Sequence, residues 1–325
     1  MENNRYFLNS EDLEIKNEII EKLIDILKNK SIEKQDIIIY IDNLKYEYSS
    51  SFFNQYFLSD ILVLLFLYER TDVLCYLVNY NDLYKNINRF IYKDEPILFY
   101  FYKKSKHEKK YIKHLEYLLK NINDIDYLQK DFKNNVFILC VSELIKLNHL
   151  EEIIEKNNEI LNFLKNELNN DKTTIIHQII NNENINLLKV IIKHFGGKIF
   201  HFKDDFNKTP LHILPYKKEI SKEIFKIITS YLENKINYLF NVMNIKDKYT
   251  GLNVVGTCVM CSNLDLLKEI RNFFGTYPFK KLCEEKDNFG RDVLLLSYIQ
   301  DNKLIYDFLL ENGCFKSADL FEKDE

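Results

Sequence analysis

Cys258 and Cys261, in the run Cys258-Val259-Met260-Cys261, are the residues whose spacing most directly suggests chemistry. A C-x-x-C pair serves a thiol–disulfide centre, where one thiolate attacks, or half of a tetrahedral zinc site, where two thiolates ligate. Zinc needs about two further ligands, and only Cys283 and Cys314 follow in the chain, without paired spacing. The histidines form no H-E-x-x-H pattern: His107 and His114 stand in a Lys-rich stretch, and His194 and His201 flank Gly196-Gly197. That glycine pair reads as a helix ending, not a phosphate loop, and the chain carries no G-x-G-x-x-G, Walker or G-x-S-x-G pattern. The residues therefore suggest no catalytic, cofactor-binding or metal-binding set, and no enzyme is expected. Lys103-Lys104-Ser105-Lys106-His107-Glu108-Lys109-Lys110 is the one basic cluster. Its two readings are a solvated insertion between helices and a patch for anionic lipid, phosphate or acidic protein.

Composition narrows the class. The chain has 325 residues, 46% of them hydrophobic, with 7 Gly and 4 Pro. That is enough apolar material for a sizeable core, and too few turn formers for a loop-rich β architecture. The net charge is 45 − 49 = −4, whereas a chain that coats nucleic acid is usually basic. The polar, acidic opening gives no expectation of a signal peptide. The longest strongly apolar run, 61–68, is far shorter than the ~20 residues that span a bilayer. Six scattered cysteines without secretory features suggest reduced thiols in a cytoplasmic compartment.

What must position any of these residues is a repeat. Residues 204–214 read DDFNKTPLHIL, and Thr209-Pro210-Leu211-His212 can start a helix. Thr209 supplies a cap oxygen, Pro210 suits the first helical position, and Leu211 points inward. With Asp204 and Asn207 ahead of it, this segment resembles the ankyrin repeat family. The resemblance implies a structural His212 that hydrogen-bonds between neighbouring repeats. Using Thr209 as anchor, the frame recurs at Asp292, preceded by Asp287 and Gly290, and at Asn253, preceded by Asp247 and Gly251. It recurs again at Thr174, as Thr174-Ile175-Ile176-His177, at Val136 after Asp131, and upstream at Glu95 and Asp60. The position two past each anchor is aliphatic: Leu62, Ile97, Ile138, Ile176, Leu211, Val255 and Leu294. Asp60, Thr174, Thr209, Asn253 and Asp292 are capping residues, and a helix is expected to begin at Asp60.

The expected fold is an all-α, ankyrin-repeat solenoid of helix-turn-helix units with short finger loops. A helical N-terminal cap or degenerate repeat is expected over 1–54, with helices from Ser10 and over 31–48. About seven stretched repeats follow over 55–313, and a short polar tail over 314–325. In that frame Cys258 takes a small buried position, so the C-x-x-C pair reads as core first, with metal- or thiol-dependent activity as the alternative. The resemblance implies a scaffold or adaptor that binds a protein partner through the concave groove and fingers. A host-directed scaffold is the form expected in a parasite, intracellular bacterium or large DNA virus. Phe132, Phe206, Tyr249 and Phe289 stand in successive fingers and are the candidate partner-binding residues. The competing expectation is that each ring packs down on its neighbouring finger. Peripheral contact with anionic membranes through 103–110 is a further alternative.

Overall fold

The computed structural model describes residues 10–48, 53–133, 135–168, 175–232 and 235–314. Among the described residues the chain is all-α apart from two strands of two residues each. None of the described helices is long and apolar enough to cross a membrane. Two compact units result, Met1–His149 and Leu150–Glu325, a division that falls inside the expected array and not at residue 54.

In the first unit, helix Ser10–Lys28 starts at the expected serine and buries Ile19, Leu23 and Leu27 on one stripe. Helix Lys34–Glu47 is the second expected element, shorter than 31–48. The helix expected to begin at Asp60 instead runs Gln55–Leu67. Asn54 caps it by accepting from the Phe57 N–H at 3.0 Å. The buried stripe Phe57, Leu58, Ile61, Leu62, Leu65 and Phe66 keeps helical period across Asp60, so nothing stops the helix there. Asp60 instead reaches Lys16 at 2.7 Å. Glu95, another anchor, lies in strand Glu95–Pro96, paired with Ile91–Tyr92. Lys93 and Asp94, with φ of 49° and 63°, make the tight turn between them. Helix Ile97–His107 follows directly, and its Phe101 ring stacks on Phe66 with centroids 4.3 Å apart.

The second unit repeats one pattern. Segments Ile175–Asn181, Pro210–Tyr216, Val254–Met260 and Val293–Ile299 touch in series and form an inner row. Helices Ile185–Phe195, Ser221–Leu232 and Leu264–Phe274 touch in series as an outer row, and Lys303–Glu311 packs on Val293–Ile299. Each helix is short and cannot bury its apolar face alone. In Leu264–Phe274, for example, Leu266, Leu267 and Ile270 are fully buried, worth about 1.5–3 kcal/mol each relative to exposure. Asn263 caps that helix by accepting from the Leu266 N–H at 3.1 Å, and Gly275, at φ 77°, ends it.

Two departures from the expected unit have physical causes. Pro210–Tyr216 is a 3-10 segment where an α-helix is expected. Pro215 has no N–H to give the Leu211 carbonyl, so an α-helical turn cannot close there. The units also carry a third helical segment between outer helix and finger: Gly196–His201, Ile236–Met243 and Thr276–Cys283. These insertions account for anchor spacings longer than the ~33 residues of a two-helix repeat. The aliphatic position two past each anchor is buried at Leu62, Ile97, Ile138, Ile176, Leu211 and Val255, and half-buried at Leu294.

Candidate functional site: the finger loops

Four fingers share one construction. In each, an aspartate folds the loop over its own carboxylate, as an Asx turn does. Asp204 Oδ1 accepts from the N–H groups of Phe206 at 2.9 Å and Lys208 at 2.8 Å. Asp247 Oδ1 accepts from Tyr249 at 2.9 Å and Thr250 at 2.8 Å. Asp287 Oδ1 accepts from Phe289 and Arg291, both at 2.9 Å. Asp131 Oδ1 accepts from Lys133 and Asn135, both at 2.9 Å. In the three fingers of the second unit the chain then reverses through a left-handed residue: Asn207 at φ 60°, Gly251 at 73° and Gly290 at 77°. Asp287 and Gly290 thus both shape this turn, and Arg291 adds an ion pair to Asp287 at 2.7 Å. Burial raises the Asp247 and Asp287 carboxyls, but the hydrogen bonds they accept outweigh it and hold both below the usual carboxylate range.

The three fingers of the second unit are stitched together. The Lys248 N–H donates to the Phe206 carbonyl at 2.8 Å, and the Asn288 N–H to the Thr250 carbonyl at 2.9 Å. The Asn207 side chain donates to the Lys246 carbonyl, and Asn288 Nδ2 to the Tyr249 carbonyl at 2.8 Å. On this frame Phe206 is 44% exposed, Tyr249 67% and Phe289 75%. Phe206 leans on Tyr249 with ring centroids 5.2 Å apart, and the Arg291 guanidinium sits 4.7 Å from the Phe289 ring. The rings touch neighbouring side chains and still face solvent. Phe132, 73% exposed, belongs to the first unit. It stands one residue past its aspartate, whereas the other three stand two past theirs.

Two histidines of the inner row reach backbone carbonyls just ahead of the next inner segment. His177 Nε2 lies 2.9 Å from the Lys208 carbonyl, and His212 Nε2 lies 3.4 Å from the Leu252 carbonyl. Each histidine is three past its anchor, and each carbonyl is one before the next anchor. The Thr209 N–H donates to His212 Nδ1 at 3.1 Å, which assigns the proton to Nε2. Burial lowers the His212 imidazole to about 4, so it is neutral. Pro210 and Leu211 are buried beside it. Thr174 lies outside the described residues.

The other candidates take different places. Cys258 is fully buried in helix Val254–Met260, and burial pushes its thiol well above the usual value. Burial also raises the half-buried Cys261. A reactive or ligating thiolate needs the opposite shift. Among the described residues no group of three or more His, Cys, Asp and Glu is placed to hold a metal ion. In 103–110 the lysines are largely compensated: Lys103 pairs with Glu95, Lys104 with Glu108, Lys106 with Glu143 at 2.8 Å and Lys110 with Glu69 at 3.9 Å.

Two features escape the sequence frame. Asn184, Asn263 and Asn302, each ten past an anchor, cap the outer helices, and each follows a left-handed residue: Glu183, Ser262 and Asp301. Tyr216, Met260 and Ile299, each seven past an anchor, are exposed at the ends of the inner segments. The fixed offset of the asparagines is a signal in the sequence, as is the Lys-Asp pair that opens the fingers at 130–131, 203–204, 246–247 and 286–287. No family model matches the chain, and no curated protein matches it.

Proposed function

We propose that the chain is an ankyrin-type repeat protein that serves as a scaffold or adaptor, binding a protein partner through its fingers and inner-helix face without catalytic residues or cofactor. The observation that carries this reading is the row Phe206, Tyr249 and Phe289, exposed on fingers that hydrogen-bond to one another. Exposed aromatics held on a stiff frame are efficient anchors, because little side-chain freedom is lost on binding. The solenoid reading is supported by the Asp fingers, the left-handed residue nine past the anchors at 60, 174, 253 and 292, and the histidine bridges, which recur at matching offsets. All six cysteines are free thiols, which suits a cytoplasmic setting.

The test is affinity purification from the cells that make the chain, comparing wild type with Phe206→Ala/Tyr249→Ala/Phe289→Ala after circular dichroism shows equal folding. A partner retained by wild type and lost by the variant is expected. A partner retained equally by both moves the binding surface off the fingers. Phe132→Ala, tested separately, reports on the first unit's finger.

A further inference from the structure

The last inner segment of the second unit leaves uncovered what its predecessors bury. The position three past the anchor faces the following segment, since His177 and His212 both reach carbonyls just ahead of it. That position is buried at His177, His212 and Gly256, but Leu295 is 45% exposed. The position six past the anchor is buried at Ile180, Pro215 and Val259, but Tyr298 is 72% exposed. In the outer helices, Leu188 and Leu267, four past the caps Asn184 and Asn263, are buried. Tyr306, four past the cap Asn302, is only half-buried, and its ring centroid lies 6.2 Å from that of Tyr298. Among the described residues the series thus ends on an apolar face, whereas the ends of repeat arrays are ordinarily polar.

The sequence that follows supplies a cover. After Gly313, left-handed at φ 68°, it reads CFKSADLFEKDE. Lys323-Asp324 repeats a pair found upstream at 93–94, 130–131, 203–204, 246–247 and 286–287. The residue three before each of those pairs is buried: Phe90, Tyr127, Phe200, Met243 and Cys283. Before Lys323 that residue is Leu320. The match to 122–131, INDIDYLQKD, is closer still. Ile122, Ile125, Tyr127 and Leu128 align with Phe315, Ala318, Leu320 and Phe321, and Asp126 with Asp319. Ile122, Ile125 and Tyr127 are buried, in a segment that carries the chain from helix Ile112–Asn121 to the finger of Asp131. The size of the face argues for the same chain as its cover. An aromatic side chain offers ~150–250 Å², so Leu295, Tyr298 and Tyr306 leave roughly 300 Å² uncovered. A stable interface with a second copy takes ~800 Å² per partner.

We infer that residues 315–324 fold back as 122–131 do and close this end of the second unit, laying Phe315, Ala318 and Leu320 over Leu295, Tyr298 and Tyr306. The inference rests on the repeat pattern and goes beyond the scaffold role. Hydrogen exchange read by mass spectrometry on the full chain tests it, with light scattering to record the oligomeric state. The expected result is a monomer whose amides over 316–323 exchange about tenfold or more slowly than those of an unstructured chain. Tyr298→Asp, at an exposed position, and Leu320→Asp should each abolish that protection while circular dichroism stays unchanged, and Leu320→Met should keep it. Exchange over 316–323 at the unstructured rate in wild type overturns the proposal. Protection that survives Tyr298→Asp also overturns it, by placing the segment elsewhere. A dimer that Tyr298→Asp dissociates overturns it too, by putting a second copy on the face. None of these outcomes bears on a partner captured through Phe206, Tyr249 and Phe289, so the scaffold reading stands or falls separately.

Discussion

Protonation of His212 disturbs the joint between segment Pro210–Tyr216 and the loop ahead of Val254–Met260 without touching the surface. The imidazole is neutral in the fold, accepting from the Thr209 N–H through Nδ1 and facing the Leu252 carbonyl with Nε2. A proton on Nδ1 sets two donors against each other at 3.1 Å inside a buried site. The imidazole falls from 6.5 to about 4 on folding, and at ~1.36 kcal/mol per unit this is about 3 kcal/mol of differential stability. The sign follows from which state binds the proton first. Above about pH 6.5 neither state is protonated and stability is full; as pH falls towards about 4 the unfolded chain binds the proton first and stability drops, then levels off. Urea denaturation at steps from about pH 7.5 to 4, on wild type and His212→Gln, isolates the term. Asp247 and Asp287, held below the usual carboxylate range, also withdraw stability in acid, but equally in both proteins. Wild type should lose about 3 kcal/mol more than the variant over that window. Equal losses, or an NMR titration of His212 near pH 6.5 in the folded protein, would refute the reasoning.

Gly251 and Gly290 occupy similar finger positions at φ 73° and 77°, but a Cβ on Gly251 would lie 2.6 Å from the Asn288 amide nitrogen while one on Gly290 meets nothing within 4 Å. Gly290→Ala should therefore cost about 1–2 kcal/mol of unfolding free energy and Gly251→Ala clearly more; equal costs would show that the fingers are not tightly stitched. Asn302→Ala removes a cap, worth about 1 kcal/mol. Asn263→Ala should cost more, since Asn263 Nδ2 also donates to the Pro215 carbonyl and Ser221 Oγ, both at 3.1 Å; thermal unfolding of both variants checks the order. Cys258 should stay unmodified by a thiol reagent in the native state, and Cys258→Ser should destabilise by about 1–3 kcal/mol by burying a hydroxyl without an assigned partner; rapid native labelling of Cys258 would contradict its burial.

Legibility in the sequence depended on how local the controlling physics was. Cap positions at 253 and 292 were readable because one side chain satisfies backbone groups a few residues away, and at 209 the same local logic runs through His212 Nδ1, which accepts from the Thr209 N–H. The start at Asp60 failed because two capping residues, Asn54 and Asp60, compete, and the outcome turns on the buried stripe that begins at Phe57. The 3-10 form of Pro210–Tyr216 was written in Pro215 but eclipsed by the stronger signal of the tetrapeptide. The third helical segments showed only as excess spacing between anchors. The exposed stripe at Tyr216, Met260 and Ile299 was hidden, since exposure belongs to the packed array and to no single residue.

Each finger closes its backbone on an aspartate of its own, and the residues one and two beyond that aspartate contribute no side chain to the closure. The chain already varies them, with Asp205-Phe206, Lys248-Tyr249 and Asn288-Phe289 on three loops of one design. Change at those tips is thereby separated from the closure of each loop, Asn288 alone of the six also tying its finger to the neighbouring one through its side chain. Successive generations could retune what the surface recognises, one loop at a time, while inheriting the same fold.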